Sequence, residues 1–283
     1  MSDCKFDSLI VNGKADSKTD SKAIFESYLE SQAQLEALPQ HLKKDNHLVK
    51  LNLFKEVHFQ KSSNLLFRKS DSSKDALINY WLSKVKNLAY LYCDFNEIPD
   101  FKGLTKSDLN EIAAGNTDPY YIKNLEEDLS SKGVIFIVEP SISGLKLDGA
   151  VFKLDSGHPV VAMSLRYKRL DNFWFTLMHE LSHIVLHYEQ LDNYIIDDLD
   201  SKSEELIELE ADKLALNSLI PRNIWRTCNA RRDLQVSSVL SFSKQHKVHP
   251  AIVAGRIQHE INDYRKLKSL TNDVDTREIL FSE

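Results

Sequence analysis

Glycine and proline are scarce in this chain, at 8 and 7 of 283 residues. Folds built wholly of strands need both at their many tight turns, so the scarcity argues against a sandwich or barrel and for a helix-rich fold. Cysteine is scarcer still. Cys4, Cys93 and Cys228 are odd in number, far apart and without a CxxC pair. That pattern excludes a disulfide framework and a thiolate metal site, and it fits reduced thiols in a cytosolic protein. No apolar run approaches the ~20 residues needed to cross a bilayer. The stretch Met1 to Asp7 has no charged region leading into an apolar one, so no export signal is expected. An excess of basic charge is missing too: the net charge is −6, a poor match to a protein whose task is gripping nucleic-acid phosphates. The expectation is a cytoplasmic protein with no membrane association and no DNA binding of its own. What is present is ordinary for a packed core, with 42% hydrophobic and 28% charged residues.

Along the chain, residues 1–20 are polar and read as a flexible N-terminus. From Ile24 to about Phe59, apolar residues recur at helical spacing, interrupted by Pro39. The polar stretch Lys69 to Asp75 is the best linker candidate. Then Ala76, Leu77, Tyr80, Trp81, Val85, Leu88 and Leu91 predict one apolar helix face. Thr105-Lys-Ser-Asp108 has the spacing of a capping box, and Asp118-Pro119 opens another helix. The period changes at Gly133-Val-Ile-Phe-Ile-Val138, a buried strand. Ala150–Leu154 and Val160–Leu165 flank Asp155-Ser-Gly-His-Pro159 as a hairpin, with Gly157 free to take a left-handed turn position. Asp171-Asn172 predicts the N-cap of a long helix to about Tyr188. A polar, acidic loop with Asp197, Asp198 and Asp200 follows, and Glu204 to Leu219 is helical again before Pro221. The fold class expected is therefore α+β: helices, a small sheet of three short strands, then helices. The division is 1–20, a helical N-terminal segment 21–75, a helical connecting region 76–132, a core 133–221 and a C-terminal helical region 222–283.

Chemistry concentrates in that core. Thr176-Leu-Met-His179-Glu180-Leu-Ser-His183 contains HExxH in the middle of a predicted helix. Residues four apart share a helix face, so both imidazoles can reach one ion. Glu180 projects about 100° away around the helix, where it can take a proton from water without binding the ion itself. His187 lies eight residues beyond His179, about 12 Å along the axis. No single ion binds both at ligand distances near 2 Å, so His187 is expected at the surface or behind the ligands. A second helix carries Glu208 and Asp212 four apart. One of these carboxylates can bind the ion and the other can accept the free ring N–H of a ligand histidine. Ala211 and Ala215 are small enough to let that helix lie close to the first. Glu204, Glu205 and Glu210 are expected as solvated surface charges.

These residues resemble the ImmA/IrrE family of zinc metallopeptidases. The likeness is carried by FTLMHELSHIVLH (Phe175 to His187) and ELEADKLALNSLIP (Glu208 within it), and it runs from Gly133 to about Pro221. The stretches Asp148 to Phe175 and His249 to Gln258, with Leu66–Ser70 and Tyr80–Val85, are similar to the subgroup fused behind HigA-like antitoxin regulators. The resemblance implies a helix-rich, zincin-like domain of the gluzincin type. It implies one zinc per chain held by His179, His183 and Glu208, with Glu180 as catalytic acid/base. It also implies limited proteolysis of a repressor or antitoxin-like transcription factor, in stress responses or toxin–antitoxin loci. The chain departs from the fused subgroup in having no convincing helix-turn-helix before residue 75, so the regulator is expected to be a separate protein.

Peptide hydrolysis also needs an oxyanion donor. Tyr167, Arg169, Tyr194, His249 and Arg256 are the candidates, with Tyr194 favoured because it sits in the acidic loop between the two ligand helices. Two other function classes stay open. One is a zinc-containing regulator or antitoxin that binds a partner and cleaves nothing. The other is a DNA-binding protein, since Val236 to Gln258 has a helix-turn-helix outline around Lys247-Val-His-Pro250.

Overall fold

The apolar spacing between Ile24 and Phe59 produces two helices on either side of Pro39, α1 (Ser21–Ala37) and α2 (Asn46–Ser62). The structure is a computed structural model that describes residues 21–43, 46–62, 72–191 and 202–282. After α2 comes α3 (Ser72–Phe95), so the expected linker is corrected in its second half: residues 72–75 belong to this helix, and 69–71 lie outside the described residues. Its core face holds Ala76, Trp81, Leu82, Val85 and Ala89, while Leu91 is exposed. The short helices α4 (Lys106–Ala114) and α5 (Leu125–Ser131) follow. At α4 the capping box forms in both directions, with Thr105 accepting from the Asp108 backbone and Asp108 from that of Thr105. Asp118 caps a single 3-10 stretch, Pro119–Lys123, rather than a full α-helix.

The strands are β1 (Ile135–Val138), β2 (Gly149–Lys153) and β3 (Pro159–Met163), in the spatial order β1-β3-β2. β2 and β3 form the expected antiparallel hairpin, and β1 runs parallel to β3. Gly157 in the hairpin turn has φ 86°, a conformation that costs glycine nothing. The apolar runs are nearly continuous because both faces of the sheet are covered. Phe136, Val151, Val161 and Met163 belong to one core, and Ile135, Ile137, Ala150, Phe152, Val160 and Ala162 to the other. The second core is closed by α1, α2 and α3, the first by α4, α5 and the helices that follow the sheet.

Those are α6 (Leu170–His187), α7 (Lys202–Leu219), α8 (Arg222–Trp225), α9 (Ala230–Asp233), α10 (Val236–His246), α11 (Pro250–Ile261), α12 (Lys268–Thr271) and α13 (Thr276–Phe281). α6 starts at least two residues earlier than expected: Arg169 is its N-cap residue, and Asp171 sits buried in the first turn, where Arg169 pairs with it. From the far end of the chain, Arg277 on α13 donates to the Leu165 and Arg166 carbonyls at 2.7–3.0 Å. Thr276 N–H donates to the Lys168 carbonyl at 2.8 Å. The segment leading into α6 is thus tied down. α10 and α11 do have a helix-turn-helix outline, turning at Lys247 with φ 53°. Residues 251–258 of the second helix are all buried, however, so no face of it is available to a DNA groove and the DNA-binding reading is set aside. Among the described residues, no helix is long and apolar enough to cross a membrane, and Cys93 and Cys228 are free thiols.

Candidate metal centre

The face of α6 that carries His179 and His183 lies against α7, and α7 can come close because Ala211 and Ala215 are buried there. His179, His183 and Glu208 converge, offering one ligand atom each within 4.8 Å of one another. His179 Nε2 is 3.0 Å from His183 Nε2. Glu208 Oε2 is 2.9 Å from the first and 3.5 Å from the second. Their side chains are 14%, 0% and 9% exposed, in the order His179, His183, Glu208, so water screens them little.

The hydrogen bonds behind these atoms fix which ring nitrogens face inward. His179 Nδ1 is 2.9 Å from Asp212 Oδ1; a carboxylate only accepts, so the ring proton lies on Nδ1 and Nε2 carries a lone pair. His183 Nδ1 is 3.1 Å from Nδ1 of buried His187, and His187 Nε2 is 3.4 Å from Glu210 Oε2. Read from the carboxylate inward, His187 keeps its proton on Nε2, its Nδ1 accepts from His183 Nδ1–H, and His183 Nε2 is left as a lone pair. Glu208 Oε2 is buried without a hydrogen-bond donor. With both rings neutral, three acceptor atoms therefore face one another, an arrangement that either a cation or a proton resolves. Ligands 2.0–2.1 Å from a tetrahedral zinc stand about 3.3 Å apart, and the separations here bracket that value. The donor set fits a divalent ion of zinc's size and softness.

Without an ion, a proton can take the same place. Burial alone would lower the His179 imidazole, but hydrogen bonds to Asp212 and Glu208 outweigh it and raise the group to about 11. Burial pushes Glu208 up, and its pairing with the His179 and His183 imidazoles, once these carry protons, more than reverses this, bringing it to about 2. His183 is lowered, chiefly by burial. Proton and metal compete for one lone pair.

Glu180 is buried and close enough to His179 to favour its charged form. Its position depends on a residue that sequence reasoning did not single out. At Gly149, the first residue of β2, an added Cβ would lie 2.5 Å from Glu180 Oε1 and 2.8 Å from Thr176 Cγ2. The strand approaches α6 so closely that any Cβ at this position would force the carboxylate and the Thr176 methyl to move from where they stand. His187 lies behind His183, one of the two places expected for it, whereas Glu210 was undervalued. Glu210 is 67% exposed, as a surface charge should be, yet it reaches the buried ring that orients a candidate ligand.

The oxyanion candidates separate. His249 caps α11, accepting from Ala251 N–H. Arg169 is engaged with Asp171 and Gln258, and Arg256 donates to the Leu216 and Ile220 carbonyls. Tyr167 is 44% exposed and lines a shallow pocket with Asp148 and Thr176, the neighbours of Gly149 and of the Glu180 turn. Tyr194 and the acidic loop around it lie outside the described residues.

No curated protein matches the chain. Residues 136–258 match the Peptidase_M78 family model, described as an IrrE N-terminal-like domain. The match begins within β1, ends in α11 and contains every member of the convergent cluster. The part of the chain that builds this centre is thus similar to the Peptidase_M78 domain, the IrrE N-terminal-like domain of the ImmA/IrrE metallopeptidases.

Proposed function

We propose that the chain is a zinc-dependent endopeptidase that cuts a protein substrate at one or a few sites. The substrate class is a repressor or antitoxin-like helix-turn-helix regulator carried on a separate chain. The observation that supports this best is the convergence of three inward lone pairs beside a buried carboxylate that takes no part in the cluster. Zinc held by His179, His183 and Glu208 would supply the Lewis acidity that brings a water's pKa towards ~7 and polarises a peptide carbonyl. Glu180 accepts the proton from the attacking water and delivers it to the leaving amine. Asp212 and His187 hold the two imidazoles in the tautomers the site needs, and Gly149 leaves the Glu180 carboxylate its place. The fusion-type relatives implied by the flanking stretches make a regulator the natural substrate class; no contact in the structure selects one.

The test is cleavage of a co-expressed helix-turn-helix regulator by the wild-type chain and by Glu180→Gln. Glu180→Gln keeps the side chain's shape and removes its basicity, so metal content should persist while cleavage falls by roughly 10² or more. A wild-type chain with bound zinc that cleaves no regulator would instead favour a non-cleaving zinc regulator.

A further inference from the structure

On the side of α7 facing α8, α9 and α11, a groove of ≈ 840 Å³ is lined by Lys106, Lys213, Arg222, Arg226, Arg231 and Arg256. Two carboxylates stand against these six cations, Glu210 and Glu260, leaving four positive charges in surplus on a chain whose net charge is −6. A concave surface of one sign focuses the field where a flat one disperses it.

Glu260 is already heavily used. Its Oε1 accepts from Trp225 Nε1 at 2.6 Å and its Oε2 from Arg231 Nε at 3.0 Å. Arg256 is the buried member of the set, 8% exposed. It spends Nη1 on the Leu216 and Ile220 carbonyls, while its Nε makes no hydrogen bond and stands 3.7 Å from Glu260 Oε1. The Trp225 ring lies 4.3 Å from the Arg256 guanidinium and 5.3 Å from that of Arg231, so both cations stand against one aromatic ring. Burial lowers Arg256 to about 10 despite Glu260, as expected of a cation short of negative charge. Nothing in the peptidase chemistry uses this group.

We propose that this groove binds a small molecule bearing a di- or triphosphate. A single carboxylate would leave most of the surplus uncompensated, whereas a triphosphate carries close to four negative charges at neutral pH. Arginine matches the geometry of phosphate oxygens as well as their charge. The volume falls within the range of small-molecule sites, ~300–1,000 Å³. The site is separate from the metal centre, although Glu210 belongs to the groove and also contacts His187.

Isothermal titration calorimetry of the as-purified full chain with inorganic triphosphate tests this. One saturable site per chain is expected. The double variant Arg222→Ser/Arg226→Ser changes only exposed side chains and should weaken binding at least about tenfold, the scale of losing charge-assisted hydrogen bonds. Glu208→Ala, which removes a proposed metal ligand, should leave binding unchanged. Absence of saturable binding, or undiminished binding in the double variant, overturns the proposal. Loss of binding in Glu208→Ala would place the anion at the metal centre instead. A polyglutamate peptide that binds as tightly as triphosphate would assign the groove to an acidic protein segment.

Discussion

At Glu208 Oε2, three lone pairs meet in a space that water scarcely reaches, and the cost of that arrangement ranks the residues around it. Glu208→Ala removes one of the three proposed ligands together with its charge and should reduce zinc affinity most. Asp212→Ala leaves the ligands in place but frees the His179 ring, a loss that typically costs 10–100-fold in affinity or activity. Asp212 and Glu210 lie on opposite sides of α7, about 160° apart, so Glu210 would be silent if each carboxylate served only its own face. Its 3.4 Å contact with His187 predicts otherwise: Glu210→Ala should cost less than Asp212→Ala but measurably more than nothing. Competition titration with a zinc chelator gives the order directly, and Glu210→Ala outranking Glu208→Ala would mean the ligand is on the wrong face. At Gly149, Gly149→Ala drives a methyl group into the Glu180 carboxylate. Zinc should stay while the cleavage rate falls by roughly 10²-fold, the scale of a misplaced catalytic group; full activity would show that the close approach is unimportant.

Among the elements, α4 and α6 differ in how far their ends could be read. The capping box at Thr105 needs only residues three apart, and it forms as expected. Hydrogen bonds from Thr105 hold Asp108 at about 2, with Lys132 adding to them. A depressed carboxylate stabilises the fold fully above its unfolded pKa near 3.9 and loses that contribution as pH falls through about 2. Thr105→Ala should therefore cost about 1 kcal/mol at pH 7, measured by denaturant unfolding, and the gap to wild type should narrow at pH 2. A gap independent of pH would mean that the Asp108 half of the box contributes nothing. The start of α6 was misread because Asp171 looks like a cap from its neighbours alone. Its carboxylate is instead buried where Arg169 and the close approach of Gly255 enclose it, and Gly255 is 84 residues away. The same limit explains the rest. HExxH and the Glu208/Asp212 pair repeat at helical spacing within one element, so sequence could find them. The contacts Gly149–Glu180 and His187–Glu210 exist only once β2 and α7 are laid on α6, and no local pattern encodes that placement.

Across the whole molecule, the candidate metal centre joins α6 and α7, two helices that are separate in the sequence, so the ion should stabilise the fold as well as serve chemistry. A ligand at about 1,000 times its Kd adds roughly 4 kcal/mol, so a chelator should lower Tm by about 10 °C. Zinc should restore it; an unchanged Tm would indicate that α6 and α7 hold together without the ion. Affinity should depend on pH with a definite sign. The ion displaces the proton that the raised His179 holds in its absence, so zinc binds more weakly at pH 6 than at pH 8. The measurement that bears most directly on the central claim is the metal content of the purified chain by mass spectrometry, taken alongside His183→Ala and Glu180→Gln. One equivalent of zinc in the wild type and in Glu180→Gln, with close to none in His183→Ala, is the predicted result. A wild type without zinc, or full zinc retention in His183→Ala, would contradict it.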